Sequence, residues 1–169
     1  MKKKMLLISA FIISMLFCSC KNVQNQISDE EINILIQGRR QINAFIMYDT
    51  LQFDTESKVS VNGFDYYRVI DEKYDEWNEW TSYVKSIYAD EAAEMIINDF
   101  KIIEINGETY TNDGFRGNDI SDEYTYEIIS EMNDTVTILL KNTDNFTSQT
   151  IETEIILEKT SNGWRIKDY

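Results

Sequence analysis

The apolar positions change their period along the chain, and each change predicts an element. After residue 28, Ile32, Leu35, Ile36, Ile42, Phe45 and Ile46 recur mostly at three, four and seven positions. That spacing puts them on one side of a helix, predicted over about residues 28–50. Ser28 and Glu31 form a capping box at its start, the hydroxyl serving one free amide and the carboxylate another. From Lys58 to Ile70 the period shortens to two, and Asn62-Gly63 marks a tight hairpin turn. Helical spacing returns from Asp75, with Trp77, Trp80, Val84, Ile87 and Tyr88 on one face. Asp90 is placed to cap a short third helix bearing Ala93, Ile96, Ile97 and Phe100.

The remainder reads as strands. Ile102 to Tyr110 turns at Asn106-Gly107, and Asn112 to Glu123 reads as a polar loop containing glycine. Tyr124–Met132 and Thr135–Lys141 flank a turn at Asn133-Asp134. Phe146 to Lys159 is the longest strand candidate, returning through Asn162-Gly163 into Trp164–Tyr169. Three Asn-Gly pairs and no proline favour tight hairpins. An antiparallel meander with one apolar face needs cover, and the three helices are available to supply it. The expected fold class is α+β: amphipathic helices packed on a curved antiparallel β-meander.

The first twenty residues fit none of this. Lys2, Lys3 and Lys4 precede an uncharged, mostly apolar run from Met5 to Phe17. It is shorter than the roughly 20 residues needed to cross a bilayer, and has the length and flanks of an export signal. It ends at Phe17-Cys18-Ser19-Cys20, which resembles the lipobox of bacterial lipoproteins. Ser19 is small, as the residue before the acylated cysteine should be, whereas bulky Phe17 precedes Cys18. Cys20 is therefore the expected lipidation site; an ordinary secretory signal cut nearby is the alternative. The expected division is a signal peptide over 1–19, the lipidated Cys20 and a tether over 20–27, and one domain over 28–169. The location that follows is the extracytoplasmic face of the membrane, with the lipid as the only membrane contact.

Charge narrows the partners. The chain carries a formal net charge of −14; the leader takes three lysines and no acids with it, leaving −17. Such an excess disfavours nucleic acid and anionic membrane surfaces and favours a basic partner. The chain has no histidine and two cysteines, so beyond Cys20 neither a Ser-His-Asp nor a Cys-His nucleophile can be assembled, nor a zinc site with His or Cys ligands. No catalytic residue, metal or cofactor is expected, and a monomer is the simplest state.

Some constellations invite a binding role. In the polar loop, Gly114-Phe115-Arg116-Gly117 offers an aromatic and a guanidinium, the residue types that dominate interface hot spots. Phe115 and Arg116, with the acids Asp119, Asp122 and Glu123, form the candidate partner-binding set. Phe115 folding onto the core and Arg116 pairing with Asp119 is the plainer alternative. The loop's oxygen-bearing side chains lack the fixed spacing of an EF-hand. Asp71, Glu72, Asp75, Glu76 and Glu79 gather at the start of the second helix, where negative charge suits the helix dipole. Trp77, Trp80 and Trp164 read most simply as core, although Trp77 and Trp80 with Tyr126 could instead line a ligand pocket. A carboxylate enzyme would need two facing acids, one with its pKa raised by burial.

In order, Val61-Asn62-Gly63-Phe64-Asp65-Tyr66-Tyr67-Arg68-Val69, Tyr83-Val84-Lys85-Ser86-Ile87-Tyr88, Glu104-Ile105-Asn106-Gly107-Glu108-Thr109-Tyr110 and Asn162-Gly163-Trp164-Arg165-Ile166 resemble a known family. It is the DL-endopeptidase inhibitor family of low-GC Gram-positive bacteria, the IseA-type proteins, and the resemblance covers nearly the whole mature domain. It implies a non-catalytic inhibitor that binds autolytic cysteine peptidases of the cell wall. Those enzymes cut the D-glutamyl-to-diamino-acid bond of peptidoglycan stem peptides. A basic cell-wall hydrolase would be steered towards so acidic a domain. Asn-Gly-x-x-Tyr and a terminal Gly-Trp-x-Ile also occur in cystatin-like, SnoaL-type domains, so a ligand-binding or scaffold lipoprotein stays open as the alternative.

Overall fold

A computed structural model describes residues 26–48, 50–112, 120–144 and 147–168. Its described elements are helices α1 (Asp29–Tyr48), α2 (Trp77–Ile87) and α3 (Asp90–Ile97), and strands β1 (Phe53–Val61), β2 (Phe64–Val69), β3 (Ile102–Ile105), β4 (Glu108–Asn112), β5 (Ile120–Met132), β6 (Thr135–Asp144), β7 (Thr150–Thr160) and β8 (Gly163–Ile166). The α+β expectation holds.

α1 starts where its capping box places it. The Ser28 amide donates to Glu31 Oε2 at 2.9 Å, and the Glu31 amide donates to Ser28 Oγ at 3.2 Å. The predicted apolar stripe is the buried one: Ile32, Leu35, Ile36, Ile42, Phe45 and Ile46 all enter the core. Asp90 is not the cap of α3. Ala89 holds that position with no side-chain bond, and Asp90 is the first helical residue. There its charge still favours the positive end of the helix dipole.

The strands divide into two four-stranded antiparallel sheets. The second sheet, β5-β6-β7-β8, follows chain order, whereas the first runs β1-β2-β4-β3. The hairpin turns obey their chemistry: Asn62 and Gly63 take φ of 51° and 86°, and Asn106 and Gly107 take 54° and 87°. Two consecutive positive φ values match the right-handed twist of the flanking strands. The third Asn-Gly differs. Of that pair only Gly163 is left-handed, at φ 101°, and it pairs with Thr160 across the ladder.

Several strand boundaries depart from expectation, β6 running on to Asp144 and β8 stopping at Ile166. β1 begins at Phe53 rather than Lys58, with a register shift between Asp54 and Val59. The expected loop from Asn112 to Glu123 is narrower, because Asn112 closes β4 and β5 begins at Ile120. Ile120 pairs with Asp144, and an irregular register precedes the Tyr124–Asn142 pair, so the polar residues between them sit in a strand without apolar alternation. β7 starts at Thr150, not Phe146. Asp144 accepts from the Thr147 amide at 2.7 Å and Ser148 takes φ 56°, which ends β6 in a turn.

One hydrophobic cluster joins the helices to both sheets. β6, β7 and β8 supply Val136, Ile138, Leu140, Ile155, Leu157, Trp164 and Ile166; the first sheet adds Val69 and Ile102. Each such side chain fully removed from water is worth about 1.5–3 kcal/mol. Backbone bonds stitch α2 between the sheets. At its start Thr109 donates to the Asp75 carbonyl at 2.8 Å and Trp77 to that of Gly107 at 3.0 Å. Beyond its end Ala89 donates to the Ile166 carbonyl at 2.8 Å. Among the described residues no helix is long and apolar enough to cross a membrane.

Candidate partner-binding surface

Of the residues singled out for binding, Phe115, Arg116 and Asp119 lie outside the described residues, as does Cys20. Asp122 contributes its backbone to β5. Glu123 follows it, exposed, and lines an open groove of about 690 Å³ with Tyr124, Thr125, Lys141, Asn142, Thr143 and Thr150. Sequence proximity had made Glu123 part of a loop; pairing of β5 with β6 puts it on a sheet rim instead. Lys141 Nζ lies 3.1 Å from Glu127 and 3.4 Å from Glu152. The Glu127 carboxylate, first among its neighbours, raises the ammonium's pKa. Asn142 Oδ1, beneath the same rim, is buried with no hydrogen-bond partner.

α1 secures β5 through two tyrosines. Tyr124 Oη donates to Asn33 Oδ1 at 2.9 Å and accepts from Gln37 Nε2 at 3.2 Å, while the Arg40 guanidinium carbon stands 5.2 Å from its ring centroid. Tyr126 Oη donates to Asp29 Oδ1 at 2.8 Å. Burial first, and then that carboxylate, push the Tyr126 phenol up to about 12. Asp29, Asn33, Gln37 and Arg40 are spaced along one line of α1, so the helix's polar stripe faces the β5 tyrosines while its apolar stripe enters the core.

A second groove, of about 760 Å³, lies between α1 and α2 and is lined mainly by carbon: Ile34, Gly38, Tyr83 and Ile87, with Glu30, Asn33, Gln37, Gln41 and Ser86 completing it. Gly38 sets its depth. A Cβ there would fall 2.2 Å from Ile87 Cδ1, so only glycine lets the helices approach this closely. Glycine inside a helix costs about 0.5–1 kcal/mol, and its place mid-helix is a signal not taken up from the sequence. Tyr83 Oη donates to Gln41 Oε1 at 2.7 Å, and burial, its largest influence, pushes the phenol up to about 12.

The other constellations resolve into structure. Trp80 is 0 % exposed, packed at 6.1 Å from Phe45 and 6.3 Å from Tyr74; Trp164 is buried and Trp77 packs partly buried against the same core. Trp77, Trp80 and Tyr126 line neither groove. In the acidic cluster ahead of α2, Asp71 Oδ1 accepts from the Lys73 amide at 3.2 Å, and Glu76 holds the N-cap position with no side-chain bond. Glu31 and Asp65 are both held below the ordinary carboxylate range, by bonds from Ser28 and from Lys58 respectively. That is opposite to the shift a general acid requires. Among the described residues no three His, Cys, Asp or Glu side chains group as a metal site.

The model of the IseA DL-endopeptidase inhibitor family matches residues 23–169. The chain belongs to that family. The match spans both sheets and the helices of the described residues, and every motif on which the resemblance was drawn, from Val61 to Ile166. No individual curated protein matches the chain. Membership gives the function in general terms, inhibition of DL-endopeptidases, and with it the class of partner.

Proposed function

We propose that this chain is a lipid-anchored, extracytoplasmic inhibitor that binds cell-wall cysteine peptidases of the DL-endopeptidase type without chemistry of its own. The observation that carries this reading is the family match over residues 23–169. The charge supports it: a mature domain at −17 attracts a basic hydrolase over several ångströms and repels the anionic surfaces around it. The absence of histidine suits a protein that occludes rather than cleaves. Cys20 acylation would hold the inhibitor at the membrane, where it guards the youngest wall against excess hydrolysis.

The test is direct. Purified residues 21–169 should slow digestion of peptidoglycan by a DL-endopeptidase of the same organism, with the rate falling as inhibitor approaches the enzyme's concentration. Failure at micromolar excess over several such enzymes would remove the reading. Labelled fatty acid should be incorporated into the full chain and lost in Cys20→Ala. Its incorporation into Cys20→Ala would move the anchor elsewhere.

A further inference from the structure

We propose that the outer edge of β5 is a docking site for an extended, basic and partly apolar strand of the inhibited peptidase, an inference that rests on the inhibitor reading above. β5 is 13 residues long and ends the order β5-β6-β7-β8. It pairs with β6 on one side, and among the described residues no strand pairs with the other. An exposed edge is a template for another chain, and proteins usually blunt it with short strands, lysine, proline or bulges. Of these β5 carries only the irregular register ahead of Tyr124 and at Ile129. β5 has no lysine, arginine or proline. It also shows apolar side chains at the rim: Ile128 and Ile129 are each 47 % exposed, and Met132 is 70 % exposed. Ile129 is the extra residue of an irregularity, since Ile128 pairs with Ile138 and Ser130 with Thr137.

Charge selects the occupant. Glu127 and Glu131 flank the isoleucines, both exposed. Lys141, which faces Glu127, is already shared with Glu152, and Glu154 lies exposed on the next strand. A second copy pairing antiparallel about Ile129 would set Glu127 of each chain near Glu131 of the other, and like charges so placed repel. A strand bearing Lys or Arg on either side of an apolar residue fits both features. Its main-chain bonds would supply affinity and its side chains selectivity, the mode of strand addition.

The experiment compares the mature chain with E127K/E131K, with Ile129→Lys and with Glu91→Lys on exposed α3 as control, against one DL-endopeptidase. Apparent inhibition constants should rise at least ~10-fold for the two β5 variants and stay within about 2-fold for the control. Amide hydrogen exchange along residues 124–132 of the wild-type chain should slow when the peptidase is added. Wild-type inhibition with unchanged exchange in β5, and β5 variants as potent as wild type, would overturn the docking edge and leave the inhibitor standing. A wild-type chain that neither binds nor inhibits would overturn both. Should a variant melt earlier than wild type, the exchange result on the unaltered chain decides.

Discussion

The two sheets are built on different physics. In the second, alternate residues of β6 and β7 are buried, so Val136, Ile138, Leu140, Ile155 and Leu157 form one apolar face under the helices. A slip of one residue would turn that face to water, and register is therefore fixed by burial. The first sheet gives only Val69 and Ile102 to the same core. Its β4 buries Thr109, whose Oγ1 has no partner, Thr111 and Asn112 around Tyr110, with Asn112 Nδ2 donating to the Asp65 carbonyl at 3.0 Å. Tyr66 Oη donates to the Phe100 carbonyl at 2.8 Å, and Arg68 meets Glu108 at 2.7 Å. The second sheet is held mainly by apolar area; the first adds turns and polar bonds to a smaller apolar share that includes Tyr66 and Tyr110.

The sharpest way to break that contrast is to remove the same kind of atoms from each. Leu140→Ala, at 0 % exposure in β6, should cost about 2–5 kcal/mol in urea unfolding, transfer and cavity terms together. Ile103→Ala, half-buried in β3, should cost about 1 kcal/mol or less. Equal losses would show that the sheets share one mode of stabilisation. The helix layer over the second sheet should be nearly as sensitive. Gly38→Ala gains about 1 kcal/mol of helix propensity but drives a methyl into Ile87, and overpacking costs typically 1–3 kcal/mol. A net loss is expected, and pairing it with Ile87→Val should recover part of it. Full additivity in that double-mutant cycle would deny the contact.

The same contrast decides what could be read in advance. The stripes of α1 and α2, the Ser28–Glu31 box and the apolar alternation from Thr135 to Lys141 were legible because each is a local pattern with a physical period. Phe100, expected on α3, lies beyond that helix's end at Ile97 and is 56 % exposed. The division into two sheets was not. It depends on Tyr66, Tyr67 and Arg68 pairing with Asn112, Thr111 and Tyr110, a contact across more than forty positions that no local period announces. The start of β5 was missed for a related reason, since Ser121, Asp122 and Glu123 carry no apolar alternation and are in a strand only through β6. Of the candidate site, Glu123 alone has a described side chain. The apolar rim of β5 escaped notice because nothing local in Tyr124–Met132 marks it as an edge strand, and the exposure of Ile128 and Ile129 follows from that position.

Where the first sheet depends on turns, a methyl added at the turn should hurt it more than three carbons removed from its half-buried face. Gly107→Ala, at φ 87° with open space around it, meets no neighbour, so its cost is purely conformational, about 1–2 kcal/mol. Gly63→Ala should behave alike. If both are neutral while Ile103→Ala is costly, the polar account of this sheet is wrong.

The smallest expected effect tests the start of α1, which leans on the second sheet through Asp29 and Tyr126. Ser28→Ala should cost about 0.5–2 kcal/mol by leaving an amide of the first turn unmet. It should also alter the acid limb of stability. The Ser28 backbone amide first, and the Ser28 hydroxyl second, hold the Glu31 carboxyl below its ordinary value, so the folded state binds that proton less readily than the unfolded chain. The contribution is therefore fully present above the ordinary carboxylate pKa and is lost as pH falls through the lowered one. Without the hydroxyl the two states titrate more alike, and the gap between wild type and Ser28→Ala should narrow as the solution is acidified below about pH 4. A gap that stays constant down that limb would mean that the Glu31 charge acts through the Ser28 backbone amide, which the substitution keeps, and not through the hydroxyl.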